Sequence, residues 1–128
     1  MIATLVIDGL FKGMNDWRDA IQRSPHAGND MARAAKRRAE CQARVQMMPR
    51  FEKPVVVIFD WFEPNLRRDL DNVSGSARKW ILDGLVAAGV LPDDGMAHVV
   101  GLQDWSHIDP LNPGVIVTLT DEIPDKEE

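Results

Sequence analysis

The chain has 128 residues, 45% of them apolar and 27% charged, which is the make-up of one soluble globular domain with a real core. No apolar run reaches about 18 residues, so a transmembrane helix is excluded. The single cysteine, Cys41, excludes an intramolecular disulfide and fits a reducing, cytoplasmic compartment.

The net charge of −5 is unevenly spread. Residues 1–53 carry ten Lys and Arg against six Asp and Glu, a net of +4, whereas residues 54–128 carry five against fourteen, a net of −9. Residues 121–128 hold −4 of that excess and read as a frayed acidic tail after a domain spanning 1–120. Local basic patches make phosphate contacts, so the acidic total does not exclude a nucleic-acid partner.

In chain order, residues 3–8 predict a strand ending at Gly9. Residues 1–10 lack the basic flank and the apolar length of a signal peptide. Residues 15–22 predict a short helix. Ser24-Pro25-His26-Ala27-Gly28 reads as a loop by its Pro and Gly content, with Asn29 and Asp30 as cap candidates for a helix over residues 31–47. That helix carries Lys36-Arg37-Arg38, the strongest basic cluster in the chain.

Residues 55–61 predict a strand whose continuous apolar run, residues 55–59, is the pattern of a strand covered on both faces, broken at Glu63-Pro64-Asn65. A helix over residues 72–88 follows, with Asp71 as N-cap and Gly89 at C′. On a helical wheel Val73, Ala77, Trp80, Ile81, Leu85 and Ala88 share one face, and Asn72, Ser76, Lys79 and Asp83 form a stripe on the far side. Leu82 and Val86 lie off the sheet-facing side, which calls for a second cover from another element of the domain or from a partner subunit. Strands over residues 97–102 and 115–120 complete the order β-α-α-β-α-β-β. This is an α/β or α+β single domain with helices packed on a small mixed sheet. Trp80 and Trp17 read as packing residues, and Trp61 and Trp105 as strand-end residues for which packing is also favoured. His107 and Asp109 read as part of an exposed loop.

Asp69-Leu70-Asp71-Asn72 is the most informative segment. Residues i and i+2 of an extended segment project to one side, so Asp69 and Asp71 can share a site that Asp94, from Asp93-Asp94-Gly95, can join. Mg²⁺ takes hard oxygen ligands, commonly one or two carboxylates with waters and substrate phosphate. Lys79 or Arg78 can balance charge developing on a phosphate. Taken singly, the D-x-D is a cap and a solvated acid, Asp93-Asp94-Gly95 a turn, and Lys79 a solvated helix residue. It is their joint occurrence beside Arg67-Arg68 that points to a metal-dependent nuclease. An EF-hand starting at Asp69 fails, because Val73, Ser74 and Trp80 stand at its fifth, sixth and twelfth positions. Zinc fails because Cys41, His26, His98 and His107 have no ligand spacing. No phosphate-binding glycine motif is present.

Arg68-Asp69-Leu70-Asp71-Asn72, Lys79, Ile81-Leu82-Asp83-Gly84-Leu85 and Ala88-Gly89-Val90-Leu91-Pro92-Asp93-Asp94 resemble the RusA family of Holliday-junction resolvases. The likeness extends to Val100-Gly101 and Asn112-Pro113-Gly114-Val115, over roughly residues 53–120. It implies a homodimeric endodeoxyribonuclease that cuts four-way DNA junctions with Mg²⁺ or Mn²⁺. Its catalytic and metal-binding acids correspond to Asp69, Asp71 and Asp94, and its essential lysine to Lys79. Some members carry that lysine where Gly75 stands here; the Lys79-x-x-x-Asp83 frame supports an alignment with a short insertion. Arg33, Lys36, Arg37, Arg67 and Arg68 are the expected phosphate contacts. The rival readings are a catalytically silent junction-binding protein on the same fold and a small phosphodiesterase with another substrate.

Overall fold

A computed structural model describes residues 1–123. The elements are β1 (Ile2–Asp8), α1 (Met14–Arg23), α2 (Pro25–Val45), β2 (Val55–Glu63), α3 (Leu70–Ser74), α4 (Ala77–Ala87), β3 (Val99–Ile108) and β4 (Gly114–Thr120). The four strands form one mixed sheet in the order β1-β4-β2-β3. Pairing is antiparallel for β1 with β4 and for β2 with β4, and parallel for β2 with β3. This is the expected α+β class.

The helices cover one face of the sheet. Leu5, Ile7, Val55, Val57, Phe59, Trp61, Val115, Val117 and Leu119 are buried there with Ala39 and Ala43 of α2 and Trp80, Ile81 and Leu85 of α4. On the other face Val56, Ile58, Phe62 and Ile116 are only half-buried, and Ile2, Val6 and Trp105 are exposed. The apolar run of β2 is therefore covered on one face, not two. Its central place in the sheet, between β4 and β3, explains why both sets of side chains are apolar.

Ser24 through Gly28 is not a loop. Ser24 Oγ accepts from the Ala27 amide at 3.1 Å and Pro25 takes the first helical position, where its missing N–H has no consequence. Asn29 and Asp30 thus lie inside α2. Gly28 is a packing glycine: a Cβ there would sit 2.5 Å from Ile21 Cγ1, so its absence lets α1 and α2 meet across the single residue Ser24.

The helix expected over residues 72–88 is two. Asp69, not Asp71, is the N-cap of α3, and the helix breaks at Gly75-Ser76 before α4. Ser74 Oγ donates back to the Leu70 carbonyl at 2.9 Å, and Ser–Gly sequences of this kind bend helices. At the far end Gly89 adopts φ +79°. The Gly89 amide donates to the Val86 carbonyl (3.0 Å) and the Val90 amide to the Leu85 carbonyl (2.9 Å), a Schellman closure. α2 packs against α4 at Gly84, where a Cβ would lie 2.6 Å from the Lys36 carbonyl oxygen and 2.7 Å from Ala39 Cβ; on the other side of α4, Leu82 is buried and Val86 half-buried.

β3 continues to Ile108, six residues beyond the expected end, because parallel pairing with β2 holds its polar second half extended. His107 is therefore a strand residue. Its Nε2 lies 2.7 Å from Asp60 Oδ1, and its ring stacks on Phe62. Trp61 is buried and stacked on Phe59, and Trp17 meets Trp80 edge-on, whereas Trp105 is 58% exposed and does not pack as expected. Cys41 is an exposed residue of α2. The free edge of β1 is closed by Gln46, whose amide group accepts from the Val6 N–H and donates to its carbonyl. Asp121 is not frayed: its carboxylate accepts from the Met1 amine at 2.6 Å. Residues 124–128 of the expected tail lie outside the described residues.

Gly84→Ala is expected to destabilise the fold by about 1–3 kcal/mol through overpacking against α2. Urea unfolding of the two proteins measures this.

Candidate active site

The acidic segment starts from a clamp. Glu63, the last residue of β2, is buried. Arg68 grips it with two hydrogen bonds, Nε to Oε1 at 2.7 Å and Nη2 to Oε2 at 2.9 Å, and its Nη1 donates to the Phe11 carbonyl at 3.0 Å. The chain is thereby fixed one residue before Asp69. Asp69 is extended (φ −68°, ψ 152°), and its carbonyl takes the first helical bond, from Val73 at 3.0 Å. Its side chain makes no cap bond. Asn72 ties α3 to α1: its Oδ1 accepts from the Asn15 amide at 2.8 Å. It also abuts Gly13, where a Cβ would come within 2.7 Å of that oxygen.

Asp69 and Asp71 face one open cleft of about 600 Å³, shared with Asn15 and Arg18 of α1, Arg78 of α4 and Asp104 of β3. Neither Asp69 nor Asp71 has a side-chain hydrogen bond or ion pair among the described residues. Asp104 does: its Oδ1 accepts from Trp61 Nε1 at 2.8 Å and its Oδ2 pairs with Arg78 Nη1.

The expected set of three acids is not assembled. Asp69 and Asp71 come together, but Asp94 does not line the cleft. It binds Lys79 Nζ at 2.6 Å, and Lys79 also pairs with Asp83 at 3.0 Å. Asp83 in turn meets Lys36 at 3.2 Å. Hydrogen bonding to Asp94, then to Asp83, raises the Lys79 ammonium above its ordinary pKa. The same ammonium holds Asp94 below the usual carboxylate range. Lys79-x-x-x-Asp83 is thus an ion pair across one helical turn.

Of the expected phosphate contacts, Arg33 pairs with Asp30 at 3.3 Å, Lys36 with Asp83, and Arg68 is committed to Glu63. Arg37 and Arg67 are exposed. The cleft's own cations are Arg18 and Arg78. Sequence reasoning passed over Arg18 and Asp104. A signal existed for Asp104: it pairs in register with Phe59 on the helix-facing side, where an acid needs a partner.

No protein-family profile matches the chain, and no curated protein matches it. The site is therefore read from its own geometry. Among the described residues no three His, Cys, Asp or Glu side chains are grouped to hold a metal ion. Two unpaired carboxylates in one open cleft nonetheless fit Mg²⁺, which commonly takes one or two carboxylates and completes its octahedron with water and phosphate oxygen.

The Lys79–Asp94 pair predicts a pH signature. A carboxylate whose folded pKa is depressed stabilises the fold above its unfolded pKa, and this is lost as pH falls through the folded value. The pair lies at the surface, so a Lys79/Asp94 double-mutant cycle should give about 0.2–1 kcal/mol of coupling near neutral pH. Repeating the cycle at falling pH should show that coupling begin to decline below about pH 4 and disappear only once pH passes below the depressed Asp94 pKa.

Proposed function

We propose that this chain is a metal-dependent endodeoxyribonuclease of RusA type that resolves four-way DNA junctions as a homodimer. The observation that carries the reading is the pair Asp69 and Asp71, two carboxylates without side-chain partners among the described residues, in a cleft that also holds arginines. Asp69 and Asp71 would hold Mg²⁺ or Mn²⁺, which when bound supplies Lewis acidity and charge neutralisation toward a phosphodiester. Asn72 and the Glu63–Arg68 clamp keep the two carboxylates in place, so little reorganisation is needed on binding. Arg18 draws the phosphate backbone toward the acids, and Arg37 and Arg67 add exposed positive charge. Asp94 is not required to complete the donor set, because one or two carboxylates suffice for Mg²⁺.

The dimer follows from the substrate: a junction has two-fold symmetry, and two sites related by a dyad can nick opposed strands. The open sheet face bearing Ile2, Val6 and Trp105 offers a surface for a second copy.

Asp71→Asn is expected to lower Mg²⁺-dependent cleavage of a four-way junction by about 100-fold or more, or ~2.7 kcal/mol of barrier, while junction binding is kept. Wild-type protein that binds junctions without cutting them under any divalent ion would overturn the nuclease reading in favour of a binding protein. Cleavage of linear duplex or flaps as fast as junctions would remove the junction specificity.

A further inference from the structure

We infer that Arg78, held in place by Asp104, is the cation that engages the scissile phosphate in this cleft, and that Lys79 is not. The inference rests on the nuclease reading above and adds the identity of its phosphate-binding residue.

Arg78 and Lys79 are neighbours at the start of α4, yet they serve different surroundings. Arg78 lines the same cleft as Asp69 and Asp71, and Lys79 does not. Lys79 Nζ is taken by two carboxylates, Asp94 at 2.6 Å and Asp83 at 3.0 Å. A phosphate would have to displace both. Arg78 spends only Nη1, on Asp104; its other N–H donors have no partner among the described residues, and its side chain is one-third exposed (33%). A guanidinium anchored at one nitrogen keeps donors in a fixed plane, which suits two-point recognition of a phosphate.

The anchor is itself anchored. Asp104 accepts from Nε1 of Trp61, which is 2% exposed and stacked on Phe59 with 5.4 Å between ring centroids. A line of contacts therefore runs from the core through Trp61 and Asp104 to Arg78. With Trp61 on one oxygen and Arg78 on the other, Asp104 serves as a positioning residue for Arg78, unlike the unpaired Asp69 and Asp71. Gly75 shows why no cation stands nearer the acids on α3: a Cβ there would lie 2.1 Å from Met14 Cε and 2.7 Å from the Asp71 carbonyl oxygen.

The test compares Arg78→Ala, Arg78→Lys, Lys79→Ala, Asp104→Asn and the Arg78→Ala/Asp104→Asn double variant. Single-turnover junction cleavage in Mg²⁺ is one readout, and junction affinity by fluorescence anisotropy without divalent ions is the other; thermal melts check folding. Arg78→Ala should slow cleavage by about 100-fold or more, Arg78→Lys should recover only part of it, and Lys79→Ala should have a far smaller effect. Added guanidinium should partly restore Arg78→Ala and not Asp71→Asn. The double variant should be no slower than Arg78→Ala alone, since Asp104 acts through Arg78. If Lys79→Ala abolishes cleavage while Arg78→Ala spares it, the inference falls and the nuclease reading stands. If wild type does not cut, the nuclease reading falls. Metal-free affinity then decides the phosphate-binding role: a loss of about tenfold in Arg78→Ala upholds it, and an unchanged affinity overturns it.

Discussion

The Glu63–Arg68 ion pair is the constraint on which the candidate site depends. A bidentate pair between a nearly buried carboxylate and an arginine is directional, and losing one partner would strand a buried charge at about 3–5 kcal/mol. It joins the end of β2 to the start of the acidic segment, and the third Arg68 contact, to the Phe11 carbonyl, brings in the loop before α1. The acids that follow are thus tied to the sheet and to α1 before α3 begins. Asn72 repeats the tie one turn later through the Asn15 amide. Of the letters R-D-L-D-N, the first and last hold position and the two acids between them are left free. In this light Arg68 is a structural residue.

Much of this was legible in the sequence, for identifiable reasons. The strands and α1 follow from alternation and local composition, and Gly89 marks a helix end that only a residue at positive φ closes readily. The D-x-D segment stands out because two acids separated by one residue, beside a helix start and two arginines, are chemically distinctive. What failed did so through tertiary context. Pro25 and Gly28 signal a loop by composition, yet the first sits at N1 and the second makes room for Ile21. Residues 103–108 have no strand pattern of their own, and β2 imposes one.

The placement of Lys79 outside the cleft has the same origin. A wheel drawn unbroken from residue 72 to residue 88 places Lys79 in line with Asn72 and Ser76, away from the core. The break at Gly75-Ser76 resets that phase. Arg78 then falls at the cleft, and Lys79 turns to Asp83 and Asp94. Helical periodicity holds only within one uninterrupted helix, and the Ser74-Gly75-Ser76 sequence was the sign that two were present.

The basic helix tells a parallel story about charge. Lys36-Arg37-Arg38 is the densest positive run, but most of that charge is spent inside the molecule. Lys36 pairs with Asp83, and Arg38 donates to the carbonyls of Asp8, Gly9 and Leu10 while lying over the Phe11 ring. Arg33 and Arg44 pair with acids on their own helix. In a chain of net charge −5, where the remaining cations lie matters more than their number. Two unpaired carboxylates repel a phosphodiester at close range. In a nuclease built on this cleft, arginine and divalent ion would each offset that repulsion as the backbone approaches. Arg18 and Arg78 stand in the cleft with those carboxylates, so the same arginines would serve association first and transition-state charge second.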